Sequence, residues 1–176
     1  MYTDILCTDD QINPRVEGHA VCLGIALAAS EVPEGLVGMP GFERRRYVRG
    51  GRAEFRFLAR DRDPQLPVWH GGRLHVVRWG NRRGESRRLP RTGWTWLATI
   101  ESGGWQGVET VPADIPASYG YDGRGVWYLI EQGIRGLMVS DERGTAVVYM
   151  ICEPASHYYH VMTGATRMPV LIGQPI

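Results

Sequence analysis

The sequence predicts an α+β, β-rich domain: a barrel or folded sheet of short strands with a few helices packed outside it. Runs of five to eight residues alternate apolar and polar side chains, the period of a half-buried strand. The 23 glycines and 11 prolines punctuate the 176-residue chain too often for long helices. That length is about one domain, 1–176, able to bury a core without disulfides or metal.

Met1 to Glu17 is polar and reads as irregular. Gly18 to Ser30 (GHAVCLGIALAAS) is an apolar run suited to a short buried helix, with Gly24 as its weak point. Val32 to Gly41, with two prolines and three glycines, reads as a loop, and Glu43 to Gly51 (ERRRYVRGG) as a charged segment ending in a Gly-Gly turn. Ala53, Phe55, Phe57 and Ala59 then alternate with Glu54, Arg56, Leu58 and Arg60, a strand. Arg73 to Trp79 (RLHVVRW) is a second strand behind the turn residues Gly71 and Gly72. Trp94 to Ile100 is a third, with Trp94, Trp96, Ala98 and Ile100 on one face. Val126–Ile130 and Ile134–Val139 read as strands broken at Gln132-Gly133, and Asp141–Gly144 (DERG) as a turn into the strand Thr145–Cys152. A short helix is expected from Pro154 to about Met162 and a last strand over Met168–Ile172.

Composition narrows the function classes. Hydrophobic residues at 43% and charged residues at 22% are ordinary globular values. Cys7, Cys22 and Cys152 are odd in number and far apart, no disulfide framework, which points to a reducing, cytoplasmic compartment. The apolar run from His19 to Ala29 is too short to cross a bilayer, and it follows an acidic start where an export signal needs a basic one. Neither a membrane nor a small-molecule cofactor is expected, because no Walker A, GxGxxG or GxSxG pattern occurs. Gly120, Gly123 and Gly125 (GYDGRG) read as a hairpin loop. His157 and His160, like His19 and Cys22, stand three apart, but a zinc site needs three or four ligands, so no metal is expected. Cys7 has the acids Asp4, Asp9 and Asp10 for neighbours, which oppose a reactive thiolate.

The charge is lopsided. All 20 basic residues are arginine. Between Arg44 and Arg91 fifteen arginines face four acids, whereas the rest of the chain has five against fifteen, so +11 and −10 underlie a net charge of +1. A basic block on an otherwise acidic chain is the footprint of a polyanion site; the plainer reading is solvated arginines scattered over several strands. Arg78 to Arg91 (RWGNRRGESRRLPR) concentrates the signal. Arg78, Arg82, Arg83, Arg87 and Arg88 could contact phosphates while Trp79 stacks on a base, the way single strands are held without sequence readout. A flexible loop paired with acids elsewhere, with Trp79 buried, is the alternative.

The order of motifs resembles the SRAP family, the SOS-response-associated peptidases and abasic-site shields. Pro67-Val68 and Arg73 to Gly80, ending in Trp79-Gly80, resemble its Trp-Gly stretch, and Ala98 to Ser102, with Glu101, resembles its ARAET segment. Val111-Pro112-Ala113-Asp114 is similar to its VPA segment, Arg135-Gly136-Leu137 to its AGL strand, and Arg167-Met168-Pro169-Val170 to its RMPV motif. The resemblance spans roughly Phe57 to Ile172 and implies a pseudo-barrel of mostly antiparallel strands with peripheral helices. It also implies that the family's chemistry is gone: Tyr2, Leu97, Ser118 and Ala165 stand where the family has its cysteine, Asn, Glu and His.

Three functions follow as expectations. The first is a degenerate SRAP-like module that holds single-stranded or damaged DNA without a covalent bond. The second is an enzyme using Cys7 with a histidine such as His157 or His160 for crosslinking or proteolysis. The third is an interaction protein gripping an acidic partner with its arginine block.

Overall fold

Alternating side chains give a strand two unlike faces, and a sheet forms where the apolar faces meet. In the computed structural model, which describes residues 21–174, twelve strands and four short helices result. The chain runs β1 (Gly24–Ala28), α1 (Glu34–Val37), α2 (Pro40–Glu43), β2 (Arg46–Arg49), β3 (Arg52–Leu58), β4 (Gln65–His70) and β5 (Arg73–Trp79). It continues through β6 (Trp94–Trp96), α3 (Leu97–Glu101), β7 (Thr110–Ile115), β8 (Tyr119–Tyr121) and β9 (Trp127–Leu129). It ends with β10 (Ile134–Ser140), β11 (Ala146–Pro154), α4 (His157–Thr163) and β12 (Arg167–Pro169).

Strands β2-β3-β1-β8-β9 form a first sheet whose neighbours are all antiparallel. Gly50 and Gly51, at φ 53° and 78°, make the tight turn between β2 and β3 that residues with a Cβ resist. Strands β10-β7-β4-β5-β11 form a second sheet that closes because β11 also pairs with β10, giving a five-stranded barrel. Only β5–β11 in that ring is parallel. The fold is therefore the β-rich α+β barrel of mostly antiparallel strands that the sequence predicts. No helix among the described residues is long and apolar enough to cross a membrane.

Strand β11 is buried on both sides and divides the interior. Val148, Met150 and Cys152 face the main core with Ile25, Leu27, Phe55, Phe57 and Trp79. Val147, Tyr149 and Ile151 face a second cluster with Leu89, Trp105, Leu137 and Val139. Both edges of β11 are occupied along their length: β10 then β12 on one, β5 then β6 on the other.

Several sequence expectations need correction. The described part of Gly18–Ser30 is not a helix but the strand β1, followed by a 3-10 turn over Ala29–Glu31. Lying mid-sheet between β3 and β8, it is covered on both faces, so its apolar run lacks alternation and looks helical. The 94–100 strand stops at Trp96, where its pairing to Met150–Cys152 ends, and Leu97–Glu101 coils into α3. Within 32–41 the chain makes α1 and begins α2 at Pro40, and the charged 43–51 segment contains β2. Strands β4 and β7 were not foreseen, because Pro67 and Pro112 sit inside them and proline argues against a ladder position. Gly120 lies in β8 rather than in the hairpin loop, whose Gly123 and Gly125 do belong there.

Candidate nucleic-acid interface

The arginine segment is an excursion from the edge of β11. β5 leaves that edge at Gly80, whose N–H donates to the Val148 carbonyl, and β6 returns to it at Gly93, whose carbonyl accepts from Met150. Gly80 has φ 66°, and a Cβ there would run into the Thr92 carbonyl, so glycine is required where the two ends of the loop cross. Asn81, fully buried, closes the loop from inside. Its Nδ2 donates to the carbonyls of Ser86 (2.9 Å) and Leu89 (2.7 Å), and its Oδ1 accepts from the Ser86 N–H (2.9 Å). Leu89 plugs into the second core cluster, worth about 2 kcal/mol of apolar burial, and the Tyr149 hydroxyl bonds the Pro90 carbonyl at 2.9 Å. The segment is ordered by these contacts.

On this frame Arg83, Arg87, Arg88 and Arg91 are exposed, and among the described residues none lies within ion-pair distance of a carboxylate. Arg82 is engaged, donating to the Ala59 carbonyl with its guanidinium 5.4 Å from the Trp94 ring centre. Two of the predicted contacts fail. Trp79 is fully buried, its Nε1 donating to Gly93 O at 2.8 Å and its ring edge-on to Trp94, so it presents no stacking face. Arg78 is spent in an ion pair with the buried Asp141 at 3.0 Å. Arg52, Arg60, Arg62 and Arg73 are exposed and without a carboxylate in range among the described residues, but they stand singly at turns and strand ends.

The remaining arginines of the basic block all have partners. Arg49 and Arg56 share the carboxylate of Glu54, at 2.9 and 2.7 Å. Both guanidinium groups also reach across the small residues of β1 to Trp127 (4.7 Å each), with Arg49 over Tyr119 and Arg56 over Tyr47. Tyr121 stacks on Trp127, so the aromatic ring is occupied from within the protein. Burial pushes the Glu54 carboxyl up, but the bonds and charges of Arg49 and Arg56 outweigh it and hold it below the ordinary range. Arg44 and Arg45 bond Gln65, and Arg46 pairs with Glu43.

The candidate histidines both lie on α4. Cys7, like Tyr2, lies outside the described residues. His160 sits in the last turn of α4 with Nδ1 bonded to Ala165 O at 2.9 Å, and His157 is exposed at the start of that helix. Cys22 lies in a buried cluster with the Tyr128 and Tyr159 hydroxyls, which bond each other at 3.1 Å. Burial raises the Cys22 thiol pKa despite its hydrogen bonds with Tyr128 and the backbone, which makes it a poor nucleophile. Only its place in an apolar run marks it in the sequence. Among the described residues no group of three His, Cys, Asp or Glu converges on a metal position.

The motif residues are dispersed. Glu101 is exposed at the end of α3, Pro112 and Ala113 lie in β7, and Leu97 packs against the second core cluster. Arg167 lies over Trp96 (5.3 Å), Met168 accepts from Ser156 N–H through sulfur at 3.3 Å, and Pro169 pairs with Cys152. Ser118 lines a cavity of about 780 Å³ with Glu31, Arg49, Arg52 and Glu131, in which Trp79, Glu101 and Ala165 have no part. Known protein families, curated proteins and solved structures offer no match to this chain.

Proposed function

We propose that the protein is a non-enzymatic module that binds nucleic acid through the loop 81–92, its arginines gripping backbone phosphates. One observation carries the reading: Arg83, Arg87, Arg88 and Arg91 are exposed, unpaired among the described residues, and mounted on a loop already stiffened by Asn81 and Leu89. A loop backbone fixed before binding loses little entropy on contact, and phosphates take guanidinium groups bidentately. The choice of single-stranded or abasic-site DNA rests on the SRAP resemblance, because burial of Trp79 removes the stacking ring that would favour unpaired bases. The reading without a covalent bond rests on the same resemblance, in which Tyr2 stands at the position of the family's cysteine.

The test is a salt titration with a fluorescent single-stranded oligonucleotide, intact or carrying an abasic site. Four phosphate contacts at about 0.7 released counterions each predict a slope of log affinity against log salt near −3. On denaturing gels the abasic oligonucleotide should run free of protein. A flat titration, or no binding at low salt, rejects the proposal.

A further inference from the structure

Glu142 occupies an unusual place for an exposed acid. It follows Asp141 in the turn between β10 and β11, and that turn is itself fixed: Asp141 accepts from the N–H groups of Arg143 (2.9 Å) and Thr145 (2.8 Å) and pairs with Arg78. The turn thereby delivers the Glu142 carboxylate to the middle of the arginine loop. There it accepts from the Ser86 hydroxyl at 2.5 Å and from the Arg87 N–H at 3.0 Å. The Ser86 oxygen in turn accepts from the N–H groups of Arg88 and Leu89, both at 3.2 Å, which polarises its own O–H toward the carboxylate. Bonds from Ser86 and from the Arg87 N–H, with the charge of Arg88 beside them, hold the Glu142 carboxyl down at about 2.

A hydroxyl, a main-chain N–H and a nearby guanidinium converging on one point are the donors that a phosphate oxygen uses. We propose that Ser86, Arg87 and Arg88 form a phosphate seat that the Glu142 carboxylate fills in the free protein, and that a nucleic-acid phosphate displaces it on binding. The inference rests on the nucleic-acid reading of the loop and adds its regulation: the loop carries its own competitor. Displacement occurs by exchange of one anion for another rather than by protonation, since the carboxylate stays ionised well into acid. Arg78, expected to touch phosphate, becomes a positioning residue that holds the turn presenting Glu142.

Removing any acid near a polyanion site raises affinity, so the experiment compares Glu142→Gln with Glu85→Gln. Glu85 is an exposed acid of the same loop that makes no ion pair among the described residues. Each change removes one negative charge, but only Glu142→Gln frees the seat. Oligonucleotide affinity should rise about fivefold more for Glu142→Gln than for Glu85→Gln, the scale of one net hydrogen bond. Separately, inorganic phosphate is titrated against the backbone amides of the whole protein by NMR. In Glu142→Gln the Ser86 and Arg87 amides should shift saturably, more weakly in the unaltered protein, and not at all when Ser86→Ala is added. Amide dispersion across the barrel confirms that each variant is folded. Equal gains in affinity for the two variants, or Ser86 and Arg87 amides unmoved by phosphate in folded Glu142→Gln, overturn the seat. If phosphate moves those amides while no variant binds an oligonucleotide, the seat stands and the nucleic-acid function falls.

Discussion

The first sheet carries four arginines on β2 and β3, two of them clamped on Glu54, and the loop after β5 carries five between Arg82 and Arg91, four of them unpaired among the described residues; the clamped pair and the loop group are held in opposite ways. In the sheet, cross-strand pairing sets Glu54 opposite Tyr47 and beside Arg56, and the carboxylate takes two guanidinium groups that aromatic rings then cover. In the loop, the backbone bends around Asn81 and its only acid, Glu85, is exposed, so every guanidinium group but that of Arg82 is left for something else. Arginine density in a sequence therefore says little about available charge. What decides is whether the backbone brings an acid and a ring within reach.

The comparison breaks most visibly if the loop arginines are removed. A triple Arg83→Gln, Arg87→Gln, Arg88→Gln variant should lose about a hundredfold in oligonucleotide affinity at low salt and about 2 in salt slope, at 0.7 per phosphate contact. Its denaturation midpoint should hardly move, because exposed substitutions without packed partners stay within about 0.5 kcal/mol. A large loss of stability with unchanged affinity would reverse the roles assigned to the two regions.

The converse change is Glu54→Gln. It leaves Arg49 and Arg56 facing a neutral amide at a buried position, and stability should fall by about 2 kcal/mol in urea denaturation. That is below the 3–5 kcal/mol quoted for breaking a fully buried pair, roughly in proportion to the partial exposure of both arginines. Oligonucleotide affinity should stay within about twofold, apart from a small gain from the removed charge. If instead affinity changed tenfold, the sheet arginines would belong to the binding surface.

This contrast was half legible in the sequence. Alternation gave β5 and β11, the break at Gln132-Gly133 separated β9 from β10, and the Ser156 cap that bonds Tyr159 N–H starts a helix close to its expected place. The location of the charged loop was also readable. Its chemistry was not, because the deciding partners are distant: Asp141 lies 63 residues from Arg78, and Glu142 lies 56 residues from Ser86. Trp79 beside arginines and glycines looked like a platform, and only the return of the chain at Gly93 shows that its ring is walled in. The same distance hid the clamp on the first sheet, where Trp127 meets Arg56 across two intervening strands and Arg49 across three.

The smallest effect concerns pH, and it separates the two regions once more. Glu54 and Glu142 both have folded pKa values below those of an unfolded chain, Glu142 at about 2. The stability that each contributes is complete above the ordinary glutamate value of about 4.3 and is lost as pH falls through the depressed folded value. Acid should therefore loosen the sheet clamp and the loop staple together below about pH 4, seen as a falling urea midpoint and exchange broadening at the Arg87 amide. Between about pH 6 and 8 neither carboxylate titrates and arginine stays charged, so oligonucleotide affinity at fixed salt should be level within about twofold. A step near neutrality would require a titrating group outside both regions, and the clamp and the loop would then not be the whole of the binding surface.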